Sequence, residues 1–305
     1  MANKELLEKP TKTGLILNEV IQTKLESGLP LAQFGGEDEG FLLILEKIRR
    51  NKGLDFTLYR PASVKRRILS RMRATGSKNY SEYIVCLNRD PSEYDRVLEA
   101  ITINVTEFFR DTETFRHIQE KVIPEIVARK EAEGRKIIRV WSAGSSFGEE
   151  TYSLAILFLE CLGARISEFM VKVYGTDIDP DCLSKARAGI YAHTSLRHVP
   201  KQILERYFTK DSEFHSVKNE VRSLIRFQHH DLVCDKYMEH MDLILCRNVV
   251  IYFSRPLQDF VYANFAKALN EGGFLILGKV ESLWGYPTSY FETISLRERI
   301  YKKKP

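Results

Sequence analysis

From residue 134 onward the chain alternates strand and helix patterns in an order that demands a parallel sheet. After Gly134 the run Ile137-Ile138-Arg139-Val140-Trp141 reads as a strand, a glycine-bearing turn follows, and residues 150–162 carry a helical apolar pattern. The unit then repeats. Val171-Lys172-Val173-Tyr174 reads as a strand ending in Gly-Thr-Asp-Ile-Asp, with a helix over 180–188. Two successive β-α units place their strands parallel through right-handed crossovers. Further strands are expected at 225–228, 243–246 and 274–277, a helix at 257–269 ahead of Gly272-Gly273, and two short β patterns at 291–296 and 299–302. The expected fold of residues 135–305 is α/β, a doubly wound sheet with a β-rich end.

At 305 residues the chain is long enough for a second domain, and 44% hydrophobic residues can fill two cores. Four short helical patterns occupy 38–104, with apolar positions Leu42/Leu45/Ile48, Val64/Ile68/Leu69/Met72, Tyr80/Tyr83/Ile84/Leu87 and Tyr94/Val97/Leu98/Ile101. Pro61 and Pro91 sit where first-turn prolines belong, and Gly76 follows the second pattern. A small all-helical N-terminal domain over 41–110 is expected, joined to the sheet by a linker helix over 111–134. That helix aligns Phe115, Ile118, Val122 and Ile126 on one face and meets a bend at Pro124. Residues 1–40, with Gly35-Gly36 and an acidic run, read as an extension.

The opening MANKELLEKP lacks an apolar signal core, and runs such as 41–45 are too short to cross a bilayer, so a cytoplasmic protein without membrane insertion is expected. Cys86, Cys161, Cys182, Cys234 and Cys246 form no C-x-x-C pair, which gives neither a disulfide framework nor a zinc cage. His229-His230-Asp231 does not change this, because adjacent strand residues face opposite ways; no metal is expected. The net charge of +5 is unevenly placed: residues 41–75 hold +8, leaving −3 elsewhere. Such a field favours an acidic partner. In the second helix Val64, Ile68 and Met72 form the packing stripe, while Arg66, Arg67, Arg71 and Arg73 are expected to project outward as a docking face.

Ligands of doubly wound sheets bind beyond the carboxyl ends of the strands, which singles out Ser142-Ala143-Gly144, Asp177, Asp231 and Arg247-Asn248. The turn Ala143-Gly144-Ser145-Ser146-Phe147-Gly148-Glu149 lacks the third glycine of a dinucleotide fingerprint and the Lys-Ser/Thr of a phosphate loop. Glu149 at the helix start stands where a phosphate would want positive potential. Asp177, at the tip of the second strand, is placed to accept from ribose hydroxyls. An adenosine ligand without a polyphosphate fits, and S-adenosylmethionine is such a ligand.

Four ordered segments carry a more specific likeness: Thr102-Ile103-Asn104-Val105-Thr106-Glu107-Phe108-Phe109-Arg110, Arg139 to Gly144 with Gly148-Glu149-Glu150, Gly175-Thr176-Asp177-Ile178-Asp179, and Cys246-Arg247-Asn248-Val249-Val250-Ile251-Tyr252-Phe253. Over residues 41–303 the chain resembles the CheR family of chemotaxis receptor methyltransferases. The resemblance implies a helical domain, a Rossmann-like methyltransferase sheet with a short inserted β-subdomain at about 207–224, and methyl ester formation on receptor glutamates. It also implies that Asn104, Thr106 and Arg110 meet S-adenosylmethionine from the helical side, and Ala143, Glu149 and Asp177 from the sheet. Asp231 and Leu232 would border the adenine, and Arg247, Asn248 and Tyr252 the methionyl part. Asp231 stands where the family often has asparagine, and Gly278-Lys279-Val280-Glu281 where Gly-His-Ser-Glu is more usual.

The implied partner is the cytoplasmic helical methylation region of chemotaxis receptors, met by a monomer associated with membrane receptor arrays. A glutamate is already anionic at neutral pH and needs no general base. Arg110, orienting that carboxylate, and Tyr252, shaping the methyl's surroundings, are the expected catalytic residues. S-adenosylhomocysteine would be the product. Two alternatives remain open. One is methylation of RNA or another protein, suggested by the +8 window although only Phe56 and Tyr59 could stack there. The other is a non-catalytic donor-binding module.

Overall fold

The computed structural model describes residues 36–102 and 104–305; of the expected extension over 1–40, only 36–40 fall inside it, at the start of a helix. The helical domain consists of α1 (Gly36–Lys52), α2 (Pro61–Thr75), α3 (Tyr80–Arg89) and α4 (Glu93–Thr102). Pro61 opens α2, and Gly76, at φ 73°, closes it by donating to Arg73 and Met72 carbonyls. Ile44, Ile48, Phe56, Val64, Ile68, Tyr83, Leu87 and Val97 form the core of this domain. The inward face of α1 is Phe41/Ile44/Leu45/Ile48, and Leu42, expected inside, is 41% exposed; Leu69 also faces solvent.

The connection to the sheet is α5 (Thr112–His117), a π-helical turn (Ile118–Val122) and α6 (Ile123–Ala132). The widened turn stands just ahead of Pro124, whose ring would clash with the carbonyl four residues back in a regular helix. Phe115, Ile118, Val122 and Ile126 bury against Ile138, Val140 and Leu154, so the linker is one layer of the sheet domain.

The remaining elements are β1 (Ile137–Ala143), α7 (Glu149–Leu162), β2 (Met170–Asp177), α8 (Pro180–Ala188), β3 (Ile190–Ala192), α9 (Lys201–Tyr207), β4 (Phe208–Asp211), β5 (Phe214–Val217), α10 (Asn219–Arg222), β6 (Ile225–His229), β7 (Met241–Cys246), α11 (Arg255–Ala268), β8 (Leu269–Leu277), β9 (Phe291–Ser295) and β10 (Ile300–Lys303). The main sheet runs β6-β2-β1-β7-β8-β10-β9. Its β6-β2-β1-β7-β8 part is parallel, with Trp141 opposite Tyr174 on one side and Ile244 on the other. The antiparallel β10 and β9 complete the edge.

The inserted β-subdomain is a separate sheet ordered β3-β5-β4. It begins at Ile190, well before the 207 expected, and ends at Val217, because the three-residue β3 pairs back onto β5 through Tyr191 and His215. Residues 219–222, expected within it, are helical.

Candidate active site

The strand order reverses between β1 and β7, and a cleft opens beyond the carboxyl ends of β1, β2 and β7 at that switch point. Three walls meet there. The first is the turn after β1. Gly144 holds φ at +74°, and a Cβ on it would come within 2.3 Å of Val249 Cγ2, so only glycine lets the turn pass the 247–253 loop. Gly144 and Ser145 N–H groups both donate to Thr176 O at 2.8 Å, and the Ser146 N–H donates to Asp177 Oδ2 at 2.7 Å.

The second wall is acidic. Asp177 also accepts from the Asp179 N–H at 3.0 Å, and burial, against those two amides, pushes its carboxyl up to about 6. Asp231 follows β6, accepts from the Val233 N–H at 2.7 Å, and is likewise raised by burial. The neighbouring His230 ring sits edge-on to Trp141 at 5.1 Å and contacts Lys236 O, while burial lowers its pKa. His229 points the other way, to solvent. Among the described residues no group of three or more His, Cys, Asp or Glu could hold a metal ion.

The third wall comes from the helical domain and the loop after β7. Asn104, Thr106 and Arg110 line the cleft. The Asn104 amide donates to Asp179 Oδ2 at 3.0 Å, tying the interdomain segment to the N-cap of α8. Leu58–Arg60 and Tyr252–Ser254 clamp each other: Tyr59 and Phe253 form an antiparallel bridge, Arg60 N donates to Tyr252 O and Ser254 N to Leu58 O. Tyr59 and Tyr252 thereby both face the cleft.

Beneath this end lies an ion cluster. Arg247, with 2% of its side chain exposed, pairs with Asp111 and with Glu150 at 3.2 Å, and donates to Arg110 O. Glu150 in turn accepts from Ser142 Oγ at 2.9 Å; burial raises its carboxyl against the pull of Arg247. The Arg110 guanidinium donates to Val105 O at 2.9 Å and has no carboxylate at ion-pair distance among the described residues. A carboxylate held by four amides, Glu281, anchors the loop from behind.

The structure therefore gathers Asn104, Thr106, Arg110, Asp177, Asp231, Leu232, Arg247, Asn248 and Tyr252 around one cleft. Two expected contacts need correction. Ala143 is fully buried in the sheet core, and Gly144, Ser145 and Ser146 provide the wall in its place. Glu149 is 2% exposed and buried behind the wall, with Oε2 unpartnered and its carboxyl raised by burial to about 7; Glu150 is the residue that lines the cleft.

The docking helix also needs one correction. Arg66 and Arg73 are exposed and Arg67 is half-buried, but Arg71 forks onto the fully buried Glu93 at 2.9 and 2.8 Å. Against the cost of burial, that guanidinium and the Tyr83 hydroxyl hold the Glu93 carboxyl below its ordinary value. Arg71 is a core ion pair and projects no free charge.

Tyr59, Glu150, Asp111 and Glu281 were not singled out by sequence. Glu150 had a signal, the doubled acid of Gly-Glu-Glu, and Glu281 another, an acid four residues past a strand end. Tyr59 had none.

A parallel sheet in this order, with a glycine turn after its first strand and an acid at the tip of its second, defines the class of nucleoside-binding doubly wound domains. Residues 104–300 match the family described as CheR methyltransferase, SAM binding domain, and residues 39–102 its all-alpha domain. A chemotaxis protein methyltransferase of Listeria innocua is 34% identical over 246 residues, covering 81% of this chain and 91% of that protein. One from Klebsiella aerogenes is 32% identical over 269 residues, covering 84% and 89%. An uncharacterized 104.1 kDa protein of Rhodobacter capsulatus is 34% identical over 274 residues, and this chain spans only 28% of its length. The chain belongs to the CheR methyltransferase family, and its methyl donor is S-adenosylmethionine.

The cleft fits that donor. Its acidic end offers acceptors to a ribose and no cation to a phosphate, while its other end carries both signs, Arg247 and Glu150, as a zwitterionic amino acid requires. Buried Ser145 and Ser146 hydroxyls beside it have no partner among the described residues. No helix among the described residues is long and apolar enough to cross a membrane.

Proposed function

We propose that this protein methylates glutamate side chains of chemotaxis receptors, forming methyl esters. The observation that carries the reading is the Arg110 guanidinium, which stands in the cleft wall without a carboxylate partner among the described residues. The acids of the cleft are otherwise engaged: Glu150 by Arg247 and Ser142, Asp177 and Asp231 by backbone amides. His230 packs edge-on against Trp141, and burial lowers its pKa. A nucleophile that needs no base, a carboxylate, suits such a wall.

S-adenosylmethionine, when bound, supplies a methyl carbon made electrophilic by its sulfonium sulfur. Asp177 and Asp231 would hold the nucleoside end, and the Arg247–Glu150 pair with Asn248 the amino-acid end. Arg110 orients the incoming glutamate by a charge-assisted fork, and Tyr252 with Tyr59 excludes water from the reacting atoms. Much of the basic window is consumed internally, Arg49 and Arg50 by Glu46 and Arg71 by Glu93, which weakens the case for a nucleic-acid substrate.

Methyl-labelled donor, receptor-containing membranes and mild alkali test this directly: volatile labelled methanol reports an ester, and alkali-stable label would overturn it. Arg110→Ala is expected to lower that signal by about 100-fold, the scale of one lost charge-assisted contact in the transition state.

The Asp177 carboxyl sets a pH dependence. Ribose hydroxyls donate to its ionised form, so donor binding must deprotonate a group that titrates at about 6. Affinity should rise from pH 5 to 7 and level off above, by up to about tenfold per unit at the acid end. Calorimetric titration over pH 5–8 checks it, and Asp177→Asn should flatten the curve. A flat profile in the parent protein would remove the ribose assignment.

A further inference from the structure

The stretch 278–286 runs alongside the loop that walls the cleft. Glu281 accepts amide hydrogens from Asn248, Val249 and Ile251; Leu283 packs in the same core as Phe253 and Leu257; and Gly285 lies against Arg255, 3.8 Å from its guanidinium at the Cβ position. From this anchored stretch three large apolar side chains face solvent: Val280 at 73% exposure, Trp284 at 62% and Tyr286 at 70%. An exposed tryptophan beside two more apolar groups, on a backbone held this firmly, marks an interaction surface. On the other flank of the loop, Tyr252–Ser254 pairs with Leu58–Arg60, and α2 departs from there carrying the exposed Arg66 and Arg73. The loop that walls the cleft is thus flanked by an exposed apolar lip along 278–286 on one side and by the cations of α2 on the other.

We propose that Val280, Trp284 and Tyr286 seat the apolar face of an acidic, amphipathic helix of the methyl-accepting protein, leaving its acidic face toward α2 and its target glutamate over Arg110. The proposal rests on the receptor-glutamate reading above. Charge complementarity selects this occupant. A helix with apolar and acidic faces matches both flanks of that loop, and the lip is tied through Glu281 to Asn248, Val249 and Ile251 of the cleft wall.

The chain has two tryptophans, Trp284 and the fully buried Trp141, so Trp284 is the spectroscopic reporter of its own lip. Titrating the full-length protein with a recombinant cytoplasmic helical fragment of a chemotaxis receptor should shift its emission to the blue, and Trp284→Phe should abolish that change. Trp284→Ala should raise KM for the fragment about tenfold with kcat and donor affinity unchanged, as loss of one docking anchor predicts. Unmoved emission and an unchanged KM, with the fragment still methylated, would overturn the lip and leave the reaction standing. No methylation of the fragment or of receptor membranes by the parent protein would sink the receptor reading and this one with it. The same blue shift with receptor-free anionic vesicles, or on concentrating the protein alone, would assign the lip to a membrane or to a second copy and overturn the proposal.

Discussion

Arg247→Met should lower the stability of the folded protein by about 4 kcal/mol and abolish measurable donor binding, the largest loss we expect from any single cation in the chain. The cost is not the value of one ion pair. Arg247 joins three segments, since it reaches Asp111 at the start of α5, Glu150 in the first turn of α7 and the Arg110 carbonyl, while its guanidinium covers the Phe115 ring at 5.6 Å. Methionine can replace the packing on Phe115 but leaves Glu150, with 13% of its side chain exposed, held only by Ser142. A chain of this size loses roughly 2–4 °C of melting temperature per kcal/mol, so a fall near 10 °C is expected. The double variant Arg247→Met/Glu150→Gln should recover part of it, because the penalty comes from the carboxylate left behind. Arg110→Ala should leave the melting temperature within about 2 °C, since that guanidinium is partly exposed and makes one carbonyl contact. Equal melting temperatures for Arg247→Met and the parent would show that Asp111 and Glu150 find other partners.

The contrast between Arg247 and Arg110 also shows where sequence reading reaches its limit. Strand tips are legible because a short run of β-formers broken by polar residues marks where the strand ends, and Asp177, the last residue of β2, and Asp231, two residues past β6, both line the cleft. Helix faces are less so. Glu149 and Glu150 are one residue, about 100°, apart on α7, and which of them turns to the cleft depends on Ser142 and Arg247, partners 8 and 97 residues away from Glu150. Arg71 was read as surface because its helix stripe is complete without it; its partner Glu93 arrives from α4, 22 residues on. Leu42 and Ile44 fit alternative phases of one amphipathic pattern, and only the packing of α3 and α4 on α1 decides between them. The three-residue β3 carries no periodicity, so the true start of the small sheet was invisible. The Tyr59–Phe253 bridge joins residues far apart in sequence by backbone pairing and an edge-on ring contact at 4.8 Å, and neither aromatic carries a local pattern that names the other as its partner.

Glu281→Ala is expected to cost about as much as the loss of Arg247, for a different reason. One carboxylate accepts the N–H groups of Gly278 at 2.7 Å, Asn248 at 2.9 Å, Val249 at 3.0 Å and Ile251 at 3.3 Å, so a single side chain satisfies four amides of the cleft wall. Burial pushes this carboxyl up, and the four donors act against that push. Asn248 is held at φ 61°, a conformation an asparagine adopts at some cost and keeps here because its N–H is committed. Gly278 makes the closure possible: a Cβ there would stand 2.8 Å from Glu281 Oε2 and 2.9 Å from Asn248 N. With alanine at 281 the four N–H groups lose their acceptor, each at about 1 kcal/mol or more, and the loop carrying Asn248 and Tyr252 should relax outward. Glu281→Gln keeps the shape but presents its amide N–H₂ to donors, so about half the loss is expected. Donor affinity, read by calorimetry, should fall in the order parent, Gln, Ala, in step with the melting temperature. A melting temperature that drops while donor affinity holds would mean that Glu281 serves the fold alone. The cleft would then owe its shape to the Tyr59–Phe253 clamp.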